Sequence, residues 1–327
     1  MPKVSVVMPV FNGEQYISES IDSVLAQRKT DLELIVVNDG SSDRTLEMAQ
    51  AYARRDSRVR VISRPNSGRP SFPKNDGIAA ARGDYVCFLD HDDLYDAERT
   101  WQLVDGLDHH PEWVAAFHDL RLIDSGGKVL PGTYLTTAKF LDGADSYLTR
   151  LADDWFDCSG DFFIYQSLIT GALHTQSVLI ARHRLPVGTV IYDTQFTICD
   201  DTDLWIRLGL HGKMGYLHRV LSSYRQHQNS ITRNREKYLM DGVKLQQHNF
   251  QRVRERLTTA QQRQYRARIA SSLADLGHLR YLEYRQRDAR AAFRQALAWA
   301  PDLQVAVGYL KSFIPGSALR GLKQLLT

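Results

Sequence analysis

Along the first hundred residues the hydrophobic positions switch repeatedly between a strand period and a helix period. Residues 4–8 form a β-branched run closed by Pro9, and Tyr16, Ile17, Ile21, Val24 and Leu25 then recur at helical spacing. Residues 32–37 repeat the strand, the turn Asn38 Asp39 Gly40 Ser41 Ser42 follows, and a helix runs through Leu46, Ala49 and Ala53 with Ser42 as its expected N-cap. Residues 59–62 give a third strand, residues 64–73 a loop rich in Pro and Gly, and residues 75–81 a short helix. An apolar run over residues 85–89 then ends in Asp90, His91, Asp92 and Asp93. Four strands alternating with helices predict a mostly parallel sheet covered on both faces. Ligands of such sheets bind beyond the carboxyl ends of the strands. Residues 9–12, 38–43, 66–74 and 90–93 all fall there.

The pattern changes in the second half. Residues 113–123 read as a long strand, Ser125 Gly126 Gly127 as a turn, and residues 138–151 as a helix. Residues 177–181 are a strand, residues 202–210 a helix and residues 215–224 a further strand. From about Lys237 onward the chain reads as helices. Ala289, Ala292, Phe293, Ala296, Leu297 and Ala300 make one apolar face, and Pro301 stops it. Residues 273–301 faintly echo a tetratricopeptide unit, but no second copy follows, so a helical hairpin is expected. In residues 317–326, Leu319, Leu322, Leu325 and Leu326 accompany Arg320 and Lys323. This segment is expected to dock on the hairpin, with a membrane interface as the alternative.

Charge divides the chain in the same place. Residues 235–327 hold 17 Lys and Arg against 7 Asp and Glu, whereas the first 234 residues hold 24 against 31. The expected organisation is therefore a catalytic body, 1–234, and a basic helical region, 235–327. The basic region suits an anionic lipid surface, a phosphorylated acceptor or a partner, and equally a solvated helix surface. No stretch approaches the roughly 18 uninterrupted apolar residues of a membrane span, and residues 1–8 show no leader. The expected location is the cytoplasm. Cys87, Cys158 and Cys199 lack paired spacing and read as reduced core residues.

The chemistry concentrates at Asp90, Asp92 and Asp93. Carboxylates crowded at a strand end repel unless a divalent cation is shared, and hard cations such as Mg²⁺ or Mn²⁺ take oxygen ligands while leaving room for a diphosphate. Arg69 and Lys74 lie in a loop facing the same end, where a cation could steady phosphates or simply be solvated. A nicotinamide-binding sheet is excluded, because its first turn needs three glycines and this one reads Pro9 Val10 Phe11 Asn12 Gly13 Glu14.

Read together, four segments in order resemble the family 2 glycosyltransferases of the GT-A fold. They are Val4 Ser5 Val6 Val7 Met8 Pro9 Val10 Phe11 Asn12, then Val36 Val37 Asn38 Asp39 Gly40 Ser41 Ser42 Asp43, then Lys74 Asn75 Asp76 Gly77, then Phe88 Leu89 Asp90 His91 Asp92 Asp93. Cys199 Asp200 Asp201 Thr202 Asp203 is similar to the family's acidic pair at a helix start, and Tyr224 Arg225 Gln226 His227 to the segment after its last catalytic strand. The resemblance is strong over residues 3–100 and fades beyond about 235. It departs at Lys74, where the family more often has Arg, and at Asp200, where it usually has Glu.

The resemblance implies an α/β, GT-A Rossmann-like mixed sheet, with residues 1–100 binding a nucleotide sugar and residues 101–234 an acceptor. It implies transfer from a nucleotide-diphosphate sugar, a UDP-sugar first, to an acceptor hydroxyl with inversion, in surface polysaccharide or glycolipid synthesis. Asp92, Asp90 and His227 would hold Mn²⁺ or Mg²⁺, with Asp90 alternatively on the ribose and Asp93 assisting or orienting a metal-bound water. Asp39 would accept from the base imide, and Pro9, Phe11 and Asn12 would shape the base and ribose pocket. Lys74 and Arg69 would face the phosphates. Asp201 is the expected general base, with Asp200 the other member of the pair. The expected partners are the donor, a saccharide or lipid-linked saccharide acceptor, and an inner membrane face touched by the basic region; no nucleic acid is expected. A nucleotide-sugar or glycan binding module that performs no transfer is the alternative.

Overall fold

The computed structural model describes residues 2–28, 31–168, 173–186, 189, 191–227 and 234–315. Residues 317–326 lie outside them. The chain divides into two units, Met1–Ser230 and Ile231–Thr327.

In the first unit the elements run β1 (Val4–Val10), α1 (Ile17–Leu25), β2 (Leu32–Asp39), α2 (Thr45–Arg55), β3 (Val59–Arg64), α3 (Ser71–Ala80), β4 (Tyr85–Phe88), β5 (Leu94–Tyr95) and α4 (Arg99–His109). They continue with β6 (Trp113–Ile123), β7 (Val129–Thr133), α5 (Tyr134–Thr137), α6 (Phe140–Ala144), β8 (Leu148–Arg150), β9 (Trp155–Cys158), α7 (Phe162–Leu168), β10 (Val178–Ala181), α8 (Asp200–His211) and β11 (Lys213–Arg225). One mixed sheet has the order β3-β2-β1-β4-β10-β6-β11-β9-β8, with β5 added to β11 and β7 to β6. β1 to β4 are mutually parallel in that order, β10 runs antiparallel to both β4 and β6, and β6 and β11 are parallel.

This topology decides where the chemistry lies. β1, β2, β3, β4, β6 and β11 all end at one edge, and antiparallel β10 begins there. The residues after β4, the residues after β11 and the turn entering β10 are thus gathered at one edge although far apart in sequence.

The β1 and β2 residues are buried throughout, as strands covered on both faces should be. β1 continues through Pro9 to Val10 because β4 pairs with it only as far as Val7, so no ladder bond is lost to the missing N–H. α3 begins at Ser71, earlier than expected. Pro70 and Pro73 look like breakers in the sequence, but they sit at the helix entry, where N–H groups have no intrahelical acceptor. Ser42 is not a cap: α2 starts at Thr45, whose N–H donates to Asp43 Oδ1 at 3.0 Å, while Ser42 donates its N–H to Asn12 Oδ1 at 2.9 Å. Over 138–151, where one helix is expected, α6 runs only from Phe140 to Ala144, a single tight turn follows over Asp145–Tyr147, and β8 takes Leu148–Arg150; α5 lies just before that range. Lys139, at φ 51°, breaks the helical path between the two short helices, and Leu135 and Phe140 drop into the core. Cys87, Cys158 and Cys199 are buried and form no disulfide among the described residues.

Gly77 lets α3 lie directly on the sheet. A Cβ there would stand 2.3 Å from Val7 Cγ1 and 3.2 Å from Val37 Cγ2. Gly77→Ala should therefore destabilise the protein by about 1–2 kcal/mol, since overpacking of a filled core outweighs the helix-propensity gain of up to ~1 kcal/mol. The urea midpoint reads this; an unchanged or raised midpoint would show that α3 can lift off at no cost.

The second unit consists of α9 (Arg235–Val253), α10 (Thr259–Leu282), α11 (Gln286–Trp299) and α12 (Leu303–Lys311). Thr258 and Gln261 form a capping box on α10, and Asp302 caps α12. Phe293 is fully buried against Gly277 of α10 and Gly308 of α12. Ala289, Ala292 and Ala296 share its buried face. Among the described residues no helix is long and apolar enough to cross a membrane.

Candidate functional site

The acidic loop after β4 is closed by the end of β11. Asp92 Oδ2 lies 2.7 Å from His227 Nε2, with both side chains mostly buried. Burial pushes the Asp92 carboxyl up, but the His227 hydrogen bond and the charge of His91 outweigh it and hold the group below its ordinary range. Asp93 is turned away. It is buried and accepts the Arg225 backbone N–H at 2.8 Å, and burial together with the charges of Asp92 and Asp90 raises its carboxyl well above the ordinary range. Asp90 is partly exposed, and no side-chain hydrogen bond involves its carboxylate among the described residues. The loop therefore presents Asp90 and the Asp92–His227 pair outward and uses Asp93 as an anchor. Among the described residues, no three His, Cys, Asp or Glu side chains are already gathered as a complete metal cage.

The turns after β1 and β2 hold one another. Asn12, at φ 50°, receives the Ser42 N–H, and its own N–H donates to Ser41 Oγ at 3.0 Å. Asn12 is thus a brace between two loops, Pro9 is inside the sheet, and Phe11 is 48% exposed. The Asp39 carboxylate is buried. It accepts from Ser67 N–H at 3.1 Å and Ser67 Oγ at 2.8 Å and pairs with Arg64 Nε at 3.2 Å. Those bonds fix its orientation at the carboxyl end of β2.

Lys74 is buried in α3, its Nζ 3.2 Å from Asp200 Oδ2 and 4.5 Å from the Tyr192 ring centroid. Burial works against its charge, but Asp200, Asp90 and Asp201 more than compensate and raise its pKa. Its neighbour Asn75 exchanges two hydrogen bonds with the Tyr192 backbone, at 2.8 and 3.1 Å, and Arg69 donates to Thr194 O at 2.6 Å. The two cations expected to face phosphate are thus engaged with the segment leading into α8.

That segment delivers the acidic pair. Asp200 is buried, and burial, partly offset by Lys74, pushes its carboxyl up to about 6. Asp201 is partly exposed; its Oδ1 accepts Thr202 N–H at 2.6 Å and its Oδ2 accepts Thr175 Oγ1 at 3.3 Å. Burial raises its carboxyl as well, against the pull of Lys74. Asp200 is paired to a cation, whereas Asp201 keeps an oxygen that is only loosely held.

Tyr192, Asn75 as a loop clamp, and Thr175 had no legible role in the sequence. Arg225 stood inside a quoted motif, yet only the fold shows it 2% exposed beneath the acidic loop. Of the tryptophans, Trp205 is fully buried in the core, while Trp101 donates Nε1 to Glu98.

The family described as Glycosyl transferase family 2 matches residues 5–167. The uncharacterized glycosyltransferase EpsJ of Bacillus subtilis is 50% identical over 93 residues, 28% of this chain and 27% of that protein. Five curated relatives, EpsJ among them, are matched over only 16–38% of their own length. S. aureus TarS 1–349 in complex with UDP-GlcNAc has a TM-score of 0.59 at 15% identity, covering 98% of this chain and 92% of that one. The mannosyltransferase PcManGT of Pyrobaculum calidifontis, in complex with GDP-Man and Mn²⁺, has a TM-score of 0.57 at 17% identity, covering 97% and 80%. At such identities the likeness is one of fold, and the fold is GT-A. Since the family match takes in β1 to β4 and the acidic loop they present, this chain belongs to glycosyl transferase family 2.

Proposed function

We propose that the protein is an inverting glycosyltransferase that moves a sugar from a UDP-sugar to a hydroxyl of a saccharide or lipid-linked saccharide, in surface polysaccharide or glycolipid synthesis. Residues 1–100 bind the donor, residues 101–234 the acceptor, and the basic region 235–327 meets an anionic membrane face. The observation that carries this reading is the convergence of Asp90, the Asp92–His227 pair and the Lys74–Asp200–Asp201 group at one sheet edge.

The chemistry of the donor set there suits a hard divalent cation, although among the described residues its side chains are not gathered around one point. Asp90 offers a carboxylate without a side-chain hydrogen bond among the described residues, Asp92 and His227 already face each other at 2.7 Å, and oxygen with one imidazole suits Mn²⁺. Such a cation would be held by Asp92, Asp90 and His227 and would supply Lewis-acid charge at the departing diphosphate. Asp39 accepts a hydrogen bond from the uracil imide, using a lone pair left over from Ser67 and Arg64. Asp201 takes the acceptor hydroxyl proton as the new bond forms, and its raised pKa makes it a better base than an ordinary carboxylate. Lys74 keeps Asp200 charged and steadies the helix start that carries Asp201. A displacement of this kind inverts the anomeric centre.

The reading is tested by nucleotide release from a panel of UDP, GDP, CMP and dTDP sugars, with and without EDTA. UDP release that chelator abolishes supports it. Release indifferent to chelator counts against the metal, and donor binding without turnover across a wide acceptor panel would favour a binding module. Asp92→Asn is expected to abolish Mn²⁺-dependent UDP binding, because an amide is a poor ligand for a divalent cation. Calorimetric titration of UDP with and without Mn²⁺ measures this, and an unchanged Mn²⁺ affinity removes Asp92 from the ligand set.

A further inference from the structure

Arg225 is a buried cation that the chemistry above does not use. Its guanidinium joins three parts of the first unit: Nη2 pairs with Glu19 Oε2 of α1 at 2.7 Å, Nε donates to the Asp92 carbonyl at 2.8 Å, and the group lies 4.5 Å over the Tyr16 ring. Its backbone N–H donates to Asp93 Oδ1, also at 2.8 Å. Two bonds from one residue therefore staple the acidic loop to the end of β11, two positions before His227. Tyr16 also approaches the His227 ring, at 5.6 Å between centroids.

We propose that Arg225, with Glu19 holding it, is a positioning residue that sets the metal affinity of the Asp92–His227 pair. The inference rests on the reading of those two residues as cation ligands. The β5–β11 pairing already ties the far end of the acidic loop to the same strand, and the staple fixes the part that carries Asp92; without it the cation must order Asp92 against His227. With it, their 2.7 Å approach is built in before the cation arrives. Glu19 has a second effect. Its side chain is 61% exposed and stands outside the ligand set, yet it balances the Arg225 charge beneath the site read as one for a dication. Neutralising it removes the one charged partner of Nη2, leaves the guanidinium to the Asp92 and Ser125 carbonyls, and loosens its hold on the former.

The test is a Mn²⁺ titration of the full chain in the presence of UDP, with free Mn²⁺ read from its paramagnetic resonance signal. Glu19→Gln should weaken Mn²⁺ binding roughly 10-fold and Arg225→Lys by roughly 10–100-fold, the range for groups that orient a ligand. The melting temperature of metal-free Glu19→Gln should fall by no more than about 2–4 °C, the shift for ~1 kcal/mol, because Glu19 is itself exposed and a Gln amide oxygen can still accept from the guanidinium. UDP release by Glu19→Gln should return toward the parent rate as Mn²⁺ is raised. Should Arg225→Lys fail to fold, Glu19→Gln still decides. Unchanged Mn²⁺ affinity in Glu19→Gln overturns the staple while leaving the ligand assignment standing; a parent that binds no Mn²⁺ with UDP takes down both.

Discussion

Asp201→Asn is expected to lower sugar transfer by about 10²- to 10⁴-fold while leaving UDP-donor binding close to the parent value, the range for losing a general base. The structure separates the two members of the acidic pair. Asp200 is buried and committed to Lys74 at 3.2 Å, so its lone pairs serve an internal charge. Asp201 is partly exposed, holds the weak 3.3 Å contact from Thr175, and has its pKa raised by burial. The pH dependence follows with a definite sign. A base must be unprotonated, so parent activity should climb as pH rises through a value above the ordinary ~3.9 of an Asp side chain, and Asp201→Asn should lack that limb. Initial rates of UDP release over pH 4–8, beside calorimetric donor binding, measure both quantities. Near-normal transfer in Asp201→Asn would move the role to Asp200 or to a group outside the pair.

The first half of this arrangement, β1 to β4 and the loops that close them, was legible in the sequence because its signals are local. Buried parallel strands read as apolar runs, and the polar residues that close them, such as Asp39 and Asp90, must lie at the sheet's carboxyl edge. The opposite half was less legible. β8 and β9 are three and four residues long, β7 is largely exposed, and none carries a period long enough to recognise. The helix expected over 138–151 failed for a related reason: left-handed Lys139 delays its start to Phe140, and after Ala144 the chain tightens into a single turn and enters β8, which pairs with β9. Partnerships across the sheet left no trace at all. That Lys74 meets Asp200, 126 residues away, or that Arg225 meets Glu19 across 206, depends on β10 reversing direction between β4 and β6. No composition or spacing encodes that reversal. Lys74 shows the consequence plainly: from the sequence it is a loop cation, and in the fold it is a buried helix residue paired with the acid that opens α8.

Lys74→Met is accordingly expected to act first on stability. Removing one partner of a buried pair leaves the other charged without compensation and costs about 3–5 kcal/mol. Asp200 sets how that loss varies with pH. Its folded pKa of about 6 lies above the ordinary Asp value even with Lys74 present, so the folded state binds this proton more tightly than the unfolded chain does. Stability from such a raised carboxyl is present at low pH and is lost as pH rises through the folded pKa. Without Lys74 that pKa moves higher still, so the gap between Lys74→Met and the parent should be small near pH 4 and widen toward pH 8. Replacing both partners, Lys74→Met with Asp200→Leu, should recover much of the loss, because two apolar side chains need no compensation in a dry site. Urea unfolding of the parent, the single variant and the double variant at pH 4.5 and 8 closes the comparison. A pH-independent loss, or a double variant no more stable than Lys74→Met, would mean that Lys74 contributes through packing on Tyr192 and that its charge does not hold Asp200 in place.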